Sequence, residues 1–270
     1  MAHLLLRGER LGPSWPAIGA VLFDKDGTLS HSEPMLRALA EARVFHCLAL
    51  APQVGCPSEH LEMLRDLLER AYGMREAGIH PAGTTAVAAR DHNLISTATA
   101  LAQVGLGWPE SLALSEEVFA LTDRLHGQGS HDPPQPTEGL VDLLERLRDA
   151  GVRCGVISND HLDGIHQFLD RHGLAHFFQA HWSAEHRPRK PDPAAVQGLC
   201  EELGVAPGRC ALIGDANSDL LMGRHAGVAV VLGYRAGWSQ PLDLDRTFAQ
   251  VDHWRELEVV TATPTGLARS

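Results

Sequence analysis

The sequence predicts an α/β fold: a doubly wound, Rossmann-like parallel sheet with an all-helical domain inserted into it. Three observations predict it. Short apolar runs end abruptly in polar residues at Asp24, Ser158 and Gly214-Asp215; helical periodicity fills the chain between the later runs; and residues 30–133 carry helical periodicity without a convincing strand.

The first run, Ala20-Val21-Leu22-Phe23, stops at Asp24. Residues 152–157 form a second, before Ser158, and residues 210–213 a third, before Gly214. Residues 228–232 make another, and 177–182 a weaker one. Between them Leu140, Leu143, Leu144 and Leu147 mark one face of a helix that Gly151 can close; Val196, Leu199, Cys200 and Leu203 mark a second, closed by Gly204. Strands alternating with helices imply parallel strands joined by helical crossovers, with functional residues gathered at the carboxyl ends of the strands.

The alternation breaks after Leu29. Helix-like segments fall around residues 33–50, 58–72, 84–104 and 115–126, and Asp132-Pro133-Pro134-Gln135-Pro136 forms a stiff exit that discourages helix continuation. The expected organisation is a core of residues 1–29 and 134–270 with a helical domain, residues 30–133, inserted. Past Pro241 the pattern predicts only a closing strand or helix around residues 248–257.

A chain of 270 residues is long enough for a large α/β domain carrying a smaller inserted one. Its 44% apolar and 21% charged residues fit an ordinary folded protein. Acidic residues outnumber Lys and Arg by 34 to 23, a formal charge of −11, which makes nucleic acid a poor partner. The five cysteines are odd in number and lack CxxC spacing, so neither a disulfide framework nor a zinc site is expected, and a reducing cytoplasm fits best. Leu4-Leu5-Leu6 is cut off by Arg7 and Glu9, and no stretch approaches the roughly 18 apolar residues of a membrane span, so neither an export signal nor a membrane anchor is expected.

Phe23-Asp24-Lys25-Asp26-Gly27-Thr28 follows the first run. Asp-Gly between strands signals a hairpin, but helical periodicity, not a strand, follows Leu29. Two carboxylates two residues apart at a strand end can converge on one metal or one phosphorus, with Gly27 letting the chain turn away. Ile213-Gly214-Asp215-Ala216-Asn217-Ser218-Asp219 opens a helix at another strand end. Capping by Asp215 or Asn217 explains one acid; Asp215 and Asp219 at i, i+4 would repel at a shared site unless a hard cation lay between them. Oxygen-only ligands of that kind suit magnesium.

Ser158 and Asn159 are ordinary helix-start residues, or else a phosphate cradle built from the Ser158 hydroxyl and nearby N–H groups. In Arg189-Lys190-Pro191-Asp192-Pro193, Asp192 and Pro193 read as N-cap and first helical residue. Lys190 is left as a fixed cation able to neutralise phosphate oxygens and crowded aspartates. The histidines within residues 161–186 lack HExxH spacing and read as structural or solvated, and Gly233 and Gly237 make no GxGxxG for a dinucleotide.

In this order the four motifs resemble the haloacid dehalogenase superfamily, with its aspartate-x-aspartate-glycine-threonine loop, Ser/Thr strand end, lysine and paired acids. The resemblance covers residues 18–30 and 134–235, including Pro136-Thr137-Glu138-Gly139 and Ala226-Gly227-Val228. The insertion is similar, in position and helical character, to the cap domain of phosphoglycolate phosphatase-like members, where cap residues select the substrate.

The resemblance implies a magnesium-dependent phosphatase acting on a small phosphorylated metabolite. Asp24 would form an aspartyl-phosphate, and Asp26 would protonate the leaving alkoxide and then activate water. Ser158 and Lys190 would bind the phosphoryl oxygens, with Thr28 and Asn159 as further substrate-binding candidates. Mg²⁺ would be held by Asp24, the backbone carbonyl of Asp26 and Asp215, with Asp219 ligating or acting through water. Dehalogenating members lack an acid at the position of Asp26, whereas phosphatases and phosphomutases keep it. A phosphomutase is therefore the enzymatic alternative, and a receiver-like phospho-acceptor module, which would lack such an insertion, the non-enzymatic one. Within the insertion Arg75, His80 and Arg90 are candidates for holding a substrate carboxylate or sugar hydroxyl.

Overall fold

The computed structural model describes residues 1–12, 14–126 and 133–261. β1 (Ala2–Leu6) and β2 (Glu9–Arg10) precede β3 (Ala20–Phe23) and β4 (Ser30–His31). Then come α1 (Glu33–Leu50), α2 (Leu61–Tyr72), β5 (Met74–Arg75), β6 (Gly78–Ile79), α3 (Thr84–Val87), α4 (Arg90–Gln103) and α5 (Trp108–His126). The return runs through β7 (Gln135–Pro136), α6 (Leu140–Asp149), β8 (Arg153–Ile157), α7 (Leu162–Arg171), β9 (Phe178–Trp182) and α8 (Pro193–Leu203). β10 (Cys210–Gly214), α9 (Asn217–His225), β11 (Val230–Tyr234), β12 (Ala249–Val251) and β13 (Leu257–Thr261) complete it.

The chain forms two compact units, one of Met1–Ser30, Pro136–Gly237 and residues from Asp243 on, the other of His31–Gln135 with Trp238–Leu242. The first unit is built on six parallel strands in the order β12-β11-β10-β3-β8-β9. β3 is apolar without alternation because both its faces are covered. Val21 and Phe23 enter a core with Leu143, Leu147 and Phe168 from α6 and α7, while Ala20 and Leu22 enter another with Val196, Leu199 and Leu203 from α8. The α8 boundaries are as the sequence predicts: Asp192 accepts the Ala194 N–H at 2.9 Å and Gly204 closes the helix at φ +64°.

The strand order reverses beside β3. From β3 the chain steps to β8 and β9, then returns to lay β10, β11 and β12 on the other side of β3. A doubly wound sheet leaves a crevice outside the strand ends at such a point. Phe23 is level with Ile213 on one neighbour and Val156 on the other, so the polar residues after the three strands emerge together.

The apolar run at the N-terminus has a role that its local pattern does not signal. It is β1, antiparallel to β13 from Ala2 opposite Thr261 to Leu6 opposite Leu257. Ala2, Leu4 and Leu6 face the core.

In the second unit, α1, α2, α4 and α5 surround a core that includes Leu64, Leu68, Tyr72, Leu101 and Phe119. Extended backbone at Ala88 and Ala89 divides the predicted 84–104 helix into α3 and α4, and α5 starts at Trp108 rather than near residue 115. β5 and β6 form a hairpin between two of the predicted helices, in a region where no strand was expected. The buried Glu33 carboxylate accepts the Ile79 N–H at 3.1 Å and the Ser239 N–H at 2.8 Å, and Trp238 packs into this core, so Trp238–Leu242 belongs with this unit although it lies far along the chain. Of the proline-rich exit, Asp132 lies outside the described residues; Gln135–Pro136 pairs with β4. Among the described residues no helix is long and apolar enough to cross a membrane.

Candidate active site

Sheet pairing continues one residue past β3, where the Asp24 N–H donates to the Ile213 carbonyl at 2.9 Å and fixes the point at which its side chain leaves the backbone. The chain then turns at Gly27, with φ +82° and its N–H on the Ser30 carbonyl at 2.9 Å. A side chain at that φ would be strained. Gly237 presses against the same turn, and a Cβ added there would lie 1.7 Å from the Gly27 carbonyl oxygen. Gly237→Ala is expected to lower stability by about 3 kcal/mol, an overpacking penalty, read as a reduced urea midpoint; an unchanged midpoint would show that the turn yields freely.

Asp24, Asp215 and Asp219 are buried, and one carboxylate oxygen of each lies within 4.8 Å of the others. Lys190 Nζ is 2.6 Å from Asp24 Oδ1 and 2.8 Å from Asp219 Oδ1. The Thr28 hydroxyl donates to Asp215 Oδ1 at 3.0 Å. Burial pushes the Asp24 pKa up, and the Lys190 charge that opposes this does not cancel it. Burial acts downward on Lys190, but Asp219 and Asp24 outweigh it and raise its pKa above the ordinary lysine value, so the ammonium stays charged.

Helix capping does not account for these acids. α9 starts at Asn217 with Ala216 at the N-cap position, and the Asn217 side chain instead donates to the Asp243 carbonyl at 2.9 Å and accepts the Asp245 N–H at 2.7 Å. Asp219 sits in the first turn of α9, where the helix dipole favours an acid.

Ser158 follows β8, buried, with its N–H on the Trp182 carbonyl at 2.9 Å and its hydroxyl accepting the Asp160 N–H at 3.1 Å. Asn159 is the next residue and is half-buried. Asp26 stands apart from the acid group: its Oδ1 accepts from Lys25 Nζ at 2.7 Å. Of the four acids named from the sequence as metal ligands, the structure therefore gathers the side chains of three. In the insertion, Arg75 is exposed, His80 Nδ1 accepts the Ala82 N–H at 3.0 Å, and Arg90 Nε donates to Asp123 at 2.8 Å. The histidines of residues 161–186 make local ties, such as His161 to Glu185 at 3.2 Å and His186 to the Ser183 hydroxyl at 3.0 Å.

For three residues beside this site the sequence suggests no role. Thr137 donates to the Thr28 carbonyl at 2.9 Å and accepts from Trp254 Nε1 at 2.8 Å, bracing the turn from below. Lys25 and Asp160 form an ion pair at 3.1 Å. A lysine flanked by two aspartates at the end of a buried strand is the feature that could have drawn notice.

A family model described as haloacid dehalogenase-like hydrolase matches residues 18–227. The chain belongs to the haloacid dehalogenase-like hydrolases. It is 28% identical over 250 residues to a phosphoglycolate phosphatase of Pseudomonas putida, with 92% of this chain and 81% of that one covered. It is 29% identical over 243 residues to the N-acetylmuramic acid 6-phosphate phosphatase of Pseudomonas aeruginosa, covering 88% and 92% of the two chains. A solved structure described as a predicted phosphoglycolate phosphatase from Haemophilus somnus shares the fold at TM-score 0.62 and 21% identity, over 88% of this chain and 95% of that one. The part of this haloacid dehalogenase-like hydrolase that the family model matches contains all four motifs, whereas β1, β2, β11, β12 and β13 lie outside it.

Proposed function

We propose that this hydrolase releases phosphate from small-molecule phosphate monoesters through an aspartyl-phosphate on Asp24. The observation that carries the reading is the convergence of a buried carboxylate, Asp24, a lysine ammonium 2.6 Å away and two further buried acids at the switch point of the sheet. The phosphatase names of the relatives support hydrolysis over transfer to a sugar.

In this reading Lys190, the Ser158 hydroxyl and neighbouring N–H groups bind the phosphoryl oxygens, with Thr28 and Asn159 bordering them. An Asp24 oxygen attacks phosphorus, the bond to the leaving oxygen breaks, and Asp26 gives its proton to that oxygen. Asp26, now a carboxylate, takes a proton from water; the water oxygen attacks phosphorus, the bond to Asp24 breaks, and phosphate leaves. Three buried carboxylates facing one ammonium are an oxygen-only, negatively charged donor set, which fits a hard dication. Asp24, the Asp26 backbone carbonyl and Asp215 would hold Mg²⁺, with Asp219 ligating or acting through water. The bound ion would offset repulsion between the phosphate and the attacking carboxylate. The five cysteines are buried free thiols, which supports the cytoplasm as the working compartment.

The test is phosphate release from a panel of phosphorylated metabolites with Mg²⁺ present; absence of release from every member would overturn the reading. Residues 31–135 would choose among leaving groups. Arg75→Ala and His80→Ala are expected to reorder the panel while hydrolysis of p-nitrophenyl phosphate stays within about three-fold of wild type, because its leaving group asks little of such contacts. Arg90, already held by Asp123, is the weaker candidate. An unchanged ranking in both variants would move specificity elsewhere.

A further inference from the structure

We propose that Lys25 is a positioning residue that fixes the carboxylate of Asp26, anchored from behind by Asp160. The inference rests on the proton-transfer role given to Asp26 above and adds what holds that acid in place.

Lys25 lies in the middle of the turn after β3, yet only 3% of its side chain is exposed. Its Nζ is 2.7 Å from Asp26 Oδ1 and 3.1 Å from Asp160 Oδ2, with the Phe168 ring 6.0 Å away. A buried ammonium holds its place only when paired on several sides, and here the pairing joins the turn after β3 to the turn after β8. Asp160 is itself fixed: its N–H donates to the Ser158 hydroxyl at 3.1 Å, and its Oδ1 accepts the His161 N–H at 2.7 Å.

The consequence falls on Asp26. With Oδ1 bound to a rigidly held ammonium, the carboxylate plane is set, and the proton would move at Oδ2. Proton delivery to a leaving oxygen requires such placement, since general acid catalysis works only within hydrogen-bond reach. A leaving group that departs readily as an anion needs little of that proton; a simple alcohol needs most of it.

The experiment compares wild type, Lys25→Met and Asp160→Asn in the full-length chain with Mg²⁺, reading alcohol or phenol release in the first turnover. The substrates are an alkyl phosphate and p-nitrophenyl phosphate. Lys25→Met is expected to slow the alkyl ester about 100-fold, within the usual span of general acid catalysis, and the aryl ester less than about three-fold. Asp160→Asn, which keeps the Lys25–Asp26 contact, is expected to show the same selectivity at about ten-fold. Equal losses on both esters, or none, would overturn the inference while leaving phosphatase function in place. Failure of that function would show separately, as no first-turnover release by wild type. If Lys25→Met does not fold, as judged by its melting transition, an unchanged alkyl-to-aryl ratio in Asp160→Asn overturns the inference alone.

Discussion

Replacing Asp24 by asparagine is expected to lower phosphate release at least about 1,000-fold, the scale of loss when a nucleophile is removed, while the α/β unit stays folded. The amide oxygen can still accept from Lys190, so the contact at 2.6 Å keeps a partner, but the amide is a poor nucleophile. Near-normal turnover in a preparation verified as Asp24→Asn would end the aspartyl-phosphate proposal. The same variant makes a separable statement about stability. Asp24 is buried, and the neutral amide is spared the desolvation cost of the carboxylate, which the Lys190 charge does not cancel. Metal-free Asp24→Asn is therefore expected to melt no lower than metal-free wild type.

The pH dependence of that comparison has a definite sign. Burial raises the Asp24 pKa above its ordinary 3.8, so the folded chain holds this proton more tightly than the unfolded chain does. The associated stability is fully present below the unfolded value and is lost as the pH climbs through the folded one. The melting temperature of Asp24→Asn relative to wild type should accordingly rise across that window, and a gap that narrows with pH would contradict the raised pKa.

Much of this was legible in the sequence because the chemistry demands particular side chains at strand ends. Asp24, Ser158 and Asp215 each follow an apolar run, and parallel pairing of Phe23 with Ile213 and Val156 brings those ends level without further information. What stayed hidden depends on partners distant in the chain or on the direction in which a side chain turns. β1 pairs with β13 at the other end of the sequence, and Trp238–Leu242 joins the helical unit through Glu33, which local periodicity cannot reveal. The strands of the β5–β6 hairpin are two residues each, too short for an alternating pattern to register. Arg90 reads as an available cation until α5 brings Asp123 to it. Lys25 stands in the first motif without a role of its own until its burial and Asp160 are seen.

Asp215→Ala is expected to weaken Mg²⁺ binding about 100-fold, and Asp219→Ala about ten-fold or less, the scale seen for groups that only support a ligand. The difference follows from what each carboxylate already contacts. Asp219 Oδ1 lies 2.8 Å from Lys190 Nζ, so much of its charge is answered by the protein's own ammonium. Asp215 accepts the hydroxyl of Thr28 at 3.0 Å, and that bond orients the carboxylate without neutralising it. Loss of Asp215 would thus remove a direct ligand of the proposed ion, while loss of Asp219, already answered by Lys190, would remove a group that supports the site. Calorimetric titration of Mg²⁺ into each purified variant measures this without reference to turnover. Equal affinity in wild type and Asp215→Ala would take Asp215 out of the metal site; a larger loss in Asp219→Ala than in Asp215→Ala would mean that the Lys190 pair gives way to the ion and that Asp219 is the principal ligand of the two.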